Sequence, residues 1–359
     1  MAYYHSKYST PKKRNKRQRL LVFIFTMAIV PFLACGFFLY QIFYKANVWT
    51  ENEETASLYI PTNSNFEQVK SILYKQGLII HRGNFEWLAK QKDYPLNIRP
   101  GHYLLQKGMN NLKLINLLRS GNQSPVNLIF NNIRTKEQLA QRISSQIEAD
   151  SASIINLLTD STYLASLGLN EYTATTIFVP NTYQVFWTIN TDDFIKRMKL
   201  EYDQFWNTER KQKADSLAMS ISDVITLASI VEKETQKNDE KNRISGVYIN
   251  RLKKGWYLQA DPTLVFAMND YNIKRVLNIH KEIDSPYNTY KHKGLPPGPI
   301  CIPSIASIDA VLNYEKHRYN YFCAKDDLSG YHVFANSYQQ HEENASKYRT
   351  ALNKLRIWK

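Results

Sequence analysis

Residues 20–44, LLVFIFTMAIVPFLACGFFLYQIFY, run for 25 positions without a charge. As a helix this segment is about 37 Å long, enough to cross a bilayer with some tilt. It has no polar face, which argues against a buried core helix. It is also too long for a signal-peptide core, and the following KANVWTENEE offers no small-x-small cleavage site. The expectation is an uncleaved, single-pass anchor in a lipid bilayer, with Pro31 and Gly36 tolerated as they are in membrane helices. Seven basic residues (Lys7, Lys12, Lys13, Arg14, Lys16, Arg17, Arg19) and no acidic ones precede residue 20. By the positive-inside rule, residues 1–19 form a cytoplasmic tail beside anionic lipid, and everything after residue 45 lies across the cytoplasmic (inner) membrane.

That tail explains much of the net charge of +14, since the remaining 39 basic residues face 32 acidic ones, a balance of +7 without a dense basic run. With neither an RNA-binding signature nor zinc-finger spacing, nucleic acid is not an expected partner. The eight histidines show no HExxH spacing and the three cysteines no metal-site pair, so no metal and no cofactor are expected. Cys35 falls in the apolar span; Cys301 and Cys323 would lie in an oxidising compartment, and the sequence leaves open whether they pair.

Beyond a polar linker at 45–56, the pattern over 57–121 alternates short strands with amphipathic helices. SLYIPTNSNFEQVKSILYKQGLI reads as strand, turn and helix with Phe66, Val69, Ile72 and Leu73 on one face. NFEWLAKQ reads as a second helix, IRPGHYLL as turn and strand, and NNLKLINLLRSG as a helix closed by Gly121. SPVNLIF then suggests a strand leading to TKEQLAQRISSQI, a helix with Thr135 as its cap. Residues 135–216 look mostly helical apart from the apolar TIFVPNTYQVF. From 258 onward Pro, Asn, Ser, Thr, Tyr and Gly dominate, a texture of loops that line sites when a scaffold holds them. The fold class expected is α+β.

LASIVEKET, residues 227–235, sets two carboxylates at the end of an apolar helix. At 100° per residue Val224, Ile225, Leu227, Ala228, Ile230 and Val231 fill one broad arc, with Thr226, Ser229 and Lys233 on the other side. Glu232 and Glu234 both border the apolar arc. A carboxyl partly withdrawn from water has a raised pKa and can hold a proton near neutrality, as a general acid must. The alternative is two solvated or ion-paired side chains, with Lys233, Lys237 or Lys241 as partners. Periodicity does not choose between the two glutamates.

LASIVEKET, LQADPT at 258–263, SPYNTY at 285–290, GLPPGPI at 294–300 and GYHVF at 330–334, with a later His341, together resemble the endolytic murein transglycosylases of the YceG-like family. The resemblance covers roughly residues 57–350. It implies a single N-terminal anchor, a small LysM-like module over 57–121, and a catalytic domain over 122–359 that cuts peptidoglycan glycan strands internally and ends their elongation. It implies glycan strands as substrate and wall synthases as partners. It also selects Glu232, the first glutamate of IVEKET, as the catalytic residue. The chain departs from the family at TTIFVPNTY (175–183), at Asn131 and Asn132, and at Ile302, Pro303 and Ser304, where an acidic-Gly, a second Glu-Gly and an Asn-Pro-Gly are usual.

A lytic transglycosylase needs one carboxyl, because the sugar's own C6 hydroxyl attacks the anomeric carbon and closes a 1,6-anhydro ring. Gln259, Asn288, Thr289 and Tyr290 are then candidates to bond sugar hydroxyls or the N-acetyl group, and Tyr287 to stack on a pyranose face. Asp261 is either a second carboxylate at the substrate or, more in keeping with Asp-Pro-Thr, the cap of a helix starting at Pro262. His332 is expected to be a packed, hydrogen-bonded histidine. Two other classes fit the same residues: a hydrolase using Glu232 and Asp261, and a wall-binding protein that cleaves nothing.

Overall fold

The structure, a computed structural model of the chain, describes residues 16–51, 53–273 and 276–354. Most of the basic tail lies outside them. The chain divides into two compact units, Met1–Ser124 and Pro125–Lys359, each with its own core.

The first unit opens with helix α1 (Lys16–Phe43), which among the described residues is long and apolar enough to cross a membrane. Phe25, Phe32 and Phe37 stand 65%, 77% and 64% exposed, so none of the described residues covers them. Then come β1 (Thr55–Ile60), α2 (Phe66–Lys75), α3 (Arg82–Gln91), β2 (Gly101–Gln106) and α4 (Asn111–Ser120). The two strands pair antiparallel with Leu58 opposite Tyr103, and the helices between them bury Val69, Leu73, Phe85 and Leu88. A capping box between Asn65 and Gln68 starts α2 and satisfies two otherwise orphaned backbone N–H groups. Gly121, at φ 69°, ends α4 as expected.

The polar stretch after α1 packs in part against this unit. Asn47 and Val48 are buried. The Asn47 amide donates to Asn111 Oδ1 (2.6 Å) and to the His81 carbonyl, while its Oδ1 accepts the His81 N–H. Ile42, in the last turn of α1, joins the same core, and Asn111 Nδ2 donates to its carbonyl at 2.9 Å. A polar segment packs here because each buried amide finds its partner.

The second unit contains β3 (Val126–Ile129), α5 (Lys136–Ser144), α6 (Ser151–Thr159), α7 (Ser161–Ser166), β4 (Thr182–Val185), α8 (Thr191–Phe205), α9 (Thr208–Ser216), α10 (Ile221–Glu234), α11 (Asn238–Lys253), α12 (Asp261–Met268), α13 (Ile305–Leu312), β5 (Tyr321–Ala324), β6 (His332–Ala335) and α14 (Tyr338–Lys354). β3 pairs with β4 and β5 with β6, both antiparallel. The mixture is α+β, with helices dominant. Thr135 caps α5 through its hydroxyl, as its sequence position predicted.

Helix α10 is the axis of this unit, packed by α11, α12 and α13. A Ser220–Asp223 capping box fixes its start. Everything from Val224 to Val231 is buried, including Thr226 and Ser229, which periodicity had assigned to an open side. Ser229 is accommodated because its hydroxyl donates to the Thr226 carbonyl and accepts the Ile300 N–H. Gly246 lets α11 approach the 313–317 loop: a Cβ there would fall 2.4 Å from the Glu315 carbonyl oxygen. Buried from Val224 to Val231, the helix emerges again at its last turn, which carries Glu232, Lys233 and Glu234.

Candidate active site

Two residues apart on a helix means about 200° around its axis, so Glu232 and Glu234 leave the last turn of α10 in different directions. Glu232 turns toward α11 and α13. Its Oε2 accepts from Lys241 Nζ at 3.0 Å, from Ser304 Oγ at 2.6 Å and from Ser307 Oγ. The Lys241 side chain is only 5% exposed and that of Glu232 22%. Burial by itself pushes the Glu232 carboxyl up, but the two hydroxyls and the ammonium outweigh it and hold the group below its usual value. It is an anchored carboxylate.

Glu234 turns the other way, into a cavity of about 360 Å³ that it lines with Lys233, Arg134, Asp261, Phe266 and Tyr271. Burial raises its carboxyl to about 7, with the Asp261 charge adding to the rise; a hydrogen bond from the Tyr248 hydroxyl and the charge of Arg251 pull the other way. A carboxyl that is half protonated at neutrality can both give and take a proton. Among the described residues, two cations border the same cavity. Lys233 Nζ donates to Asn132 Oδ1 at 2.9 Å, and the Arg134 guanidinium lies 4.5 Å over the Tyr271 ring.

The loop residues singled out in the sequence divide between site and scaffold. Asp261 is in the cavity, and it is not a cap: α12 begins at Asp261 itself, its N-cap is Ala260, and the carboxylate accepts the Tyr290 hydroxyl at 2.5 Å. Asn288 and Thr289 are buried, which corrects the expectation that they bond sugar. Asn288 Nδ2 donates to the carbonyls of Lys281 and Ile283, both at 2.8 Å, and Thr289 Oγ1 accepts the Ala260 N–H. They hold the loop that aims Asp261 and Tyr290. Tyr287 packs against Phe266, 4.7 Å between ring centroids, and borders a neighbouring pocket with Tyr172. Gln259 sits in left-handed backbone at φ 50°, a conformation unfavourable for a residue with a Cβ and one that concentrates near functional sites. It lines a second pocket, distinct from the one that Glu234 and Asp261 line.

His332 is packed as expected. Its Nδ1 lies 2.9 Å from Glu240 Oε2, and its backbone N–H donates to the other oxygen of that buried carboxylate. Cys301 and Cys323 are both free, Cys301 buried against the Ser229 carbonyl. Sequence reasoning missed the Tyr248 hydroxyl, which donates to Glu234. It also missed the serines around Glu232, although Pro-Ser ahead of IASIDAVL is a legible helix start and Ser304 is indeed the cap of α13.

Residues 58–347 match the YceG-like family. The endolytic murein transglycosylase of Bacillus subtilis strain 168 is 30% identical over 89% of this chain and 91% of its own. That of Streptococcus pneumoniae serotype 2 is 27% identical over 90% of this chain, which spans 65% of the pneumococcal protein's length. A crystal structure of a YceG-like protein from Listeria monocytogenes superposes with a TM-score of 0.57 at 27% identity, over 81% of this chain and 98% of that one. The match takes in both units beyond the apolar helix, Glu232 and Glu234 included, and the chain belongs to the YceG-like family.

Proposed function

We propose that this chain is a lytic transglycosylase that cuts peptidoglycan strands internally, and that Glu234 rather than Glu232 is its acid and base. One observation carries the assignment: Glu234 is the carboxyl raised to about 7 and it opens into the cavity shared with Asp261. The relatives named endolytic murein transglycosylase supply the reaction class. Protonated Glu234 gives its proton to the glycosidic oxygen between MurNAc and GlcNAc as the C1–O bond breaks. The resulting carboxylate then takes the proton of the C6 hydroxyl as that oxygen bonds to C1, closing the 1,6-anhydro ring. No water is consumed, and the intramolecular attack replaces a second reactant by effective concentration. The Tyr248 hydroxyl orients Glu234 throughout. Asp261, tied to Tyr290, presents its remaining acceptor capacity to the sugar.

Asp261 is also what a hydrolase would use as a second carboxylate. Weighing the products of uncrosslinked glycan strands separates the readings. Anhydro ends, lighter than reducing ends by one water, are expected; reducing ends mean hydrolysis, and intact strands mean a binding protein.

The pH profile follows from the same carboxyl. Because the first step needs Glu234 protonated, kcat/KM should hold at acid pH and fall tenfold per pH unit above about 7. A profile still flat at pH 9 would remove Glu234 from the first step.

The setting of this activity extends the reading. α1 anchors the chain once in the cytoplasmic membrane with its N terminus inside, the 57–121 module is LysM-like and holds or positions glycan, and cleavage of nascent strands ends their elongation beside the synthases. The uncharged span and basic tail support the orientation. Protease added to intact spheroplasts should digest everything after residue 45; protection of that region would reverse the topology.

A further inference from the structure

The pocket that Gln259 faces holds about 270 Å³ and is formed by the end of α11, the loop after it, Lys293 and Tyr321 of β5. Its character differs from that of the Glu234 cavity. Gly255, at φ 63°, closes α11, and the next two residues, Trp256 and Tyr257, stand 39% exposed each. Large aromatic rings on a surface usually mark a binding face. Each of these also carries an ammonium: Lys254 Nζ lies 4.8 Å from the Trp256 centroid and Lys293 Nζ 5.6 Å from that of Tyr257. Tyr321 closes the back, 6.0 Å from Trp256.

The floor of this pocket is rigid. Arg251 is buried beneath it, its Nε donating to the Asn320 carbonyl at 2.7 Å and its Nη1 to the Leu258 carbonyl at 2.5 Å. Lys254 Nζ is fixed on Asn320 Oδ1 at 2.8 Å. Gln259, strained in its backbone and with its N–H on the Thr289 carbonyl, presents a side-chain amide that bonds to no described residue. Aromatic faces, fixed positive charge and a free amide are together what an N-acetylated amino sugar bearing a carboxylate requires. The rings take the apolar face of the pyranose, the amide takes the N-acetyl group, and the ammonium groups take the carboxylate.

We infer that this pocket is a second glycan subsite, which binds a lactyl-bearing sugar of the same strand that crosses the Glu234 cavity. The inference rests on the proposed transglycosylase reading. Gln259 lines this pocket and Asp261, two residues on, lines the Glu234 cavity, so a strand that reaches both is gripped beside the cleaved bond. An enzyme that cuts within a strand rather than at its end needs such a grip.

The test uses the full chain in detergent with uncrosslinked glycan strands, and the double variant Trp256→Ala/Tyr257→Ala. KM should rise about tenfold or more, with a much smaller loss of kcat, as for truncation of aromatic anchors in a binding face. Trp256→Phe/Tyr257→Phe, which keeps both faces, should recover most of that loss. Lys293→Gln should weaken binding of strands with free lactyl carboxylates more than of strands in which those carboxylates are amidated. Direct titration of glycan into the same proteins reports the subsite independently of cleavage. If wild type cleaves strands but the double variant, at an unchanged melting temperature, keeps wild-type KM and affinity, the subsite is overturned while the enzyme reading stands. If wild type binds strands without cleaving them and the double variant loses that binding, the enzyme reading fails and the subsite stands.

Discussion

Glu234→Gln should abolish strand cleavage while leaving the fold intact. The amide is nearly the shape of the carboxyl, and its oxygen can still accept the Tyr248 hydroxyl, but it can neither deliver a proton to the glycosidic oxygen nor remove one from the C6 hydroxyl. General acid–base assistance is worth about 10²–10⁴ in rate, and one group serving both steps places the loss toward or beyond the upper end. The stability of the variant has its own signature. Glu234 binds its proton more tightly folded, at about 7, than a carboxyl does in an unfolded chain, so wild type loses stability as pH rises from about 4.3 to about 7. The amide has nothing to lose. Melting curves of the two proteins should meet near pH 4 and separate upward, with the variant the more stable above pH 7 by on the order of 4 kcal/mol at most. An active Glu234→Gln protein would sink the assignment. A dead Glu232→Gln protein beside an active Glu234→Gln would restore the glutamate that the family resemblance had selected.

That resemblance selects Glu232, while the helical period places both glutamates in the last turn of one helix without choosing between them. Period placed Glu232 and Glu234 at the margins of an apolar arc, but it could not say what lies beyond each margin. Contacts made far along the chain decide that: Ser304 and Ser307, more than 70 residues on, on one side, and Asp261 on the other. The local elements were more legible because their signals are local. Asn65, Gly121 and Thr135 act at the helix ends where their chemistry suits them. By contrast α13, β5 and β6 are of eight residues or fewer in a Pro- and Gly-rich stretch and were read as loops; elements that short leave too few periods to register. Asn288 and Thr289 show the same limit in side chains. Their polarity suited sugar, and their burial assigns it instead to the carbonyls of Lys281 and Ile283 and the N–H of Ala260.

Glu232→Ala should have the opposite signature, a large loss of stability with the chemistry preserved. Removing this carboxylate leaves Lys241, a side chain only 5% exposed, without a counter-charge, and strips Ser304 and Ser307 of their shared acceptor. Breaking a buried pair on one side costs about 3–5 kcal/mol, most of it the stranded charge. For a unit of this size that is a fall of roughly 10 °C in melting temperature. The double variant Glu232→Ala/Lys241→Met should recover much of the loss, because neither charge is then buried alone. The sign with pH also reverses relative to Glu234. The Glu232 carboxyl is held below its unfolded value, so its stabilisation is complete above about pH 4.3 and disappears as pH falls through the folded value. Wild type and Glu232→Ala should therefore differ most at neutral pH and converge in acid. Well below its own melting temperature, Glu232→Ala should still cut glycan, because the proton-transferring group of the Glu234 cavity remains. An unchanged melting temperature would mean that the Lys241–Ser304–Ser307 cluster does not need its carboxylate. Equal melting with lost activity would move the acid to Glu232.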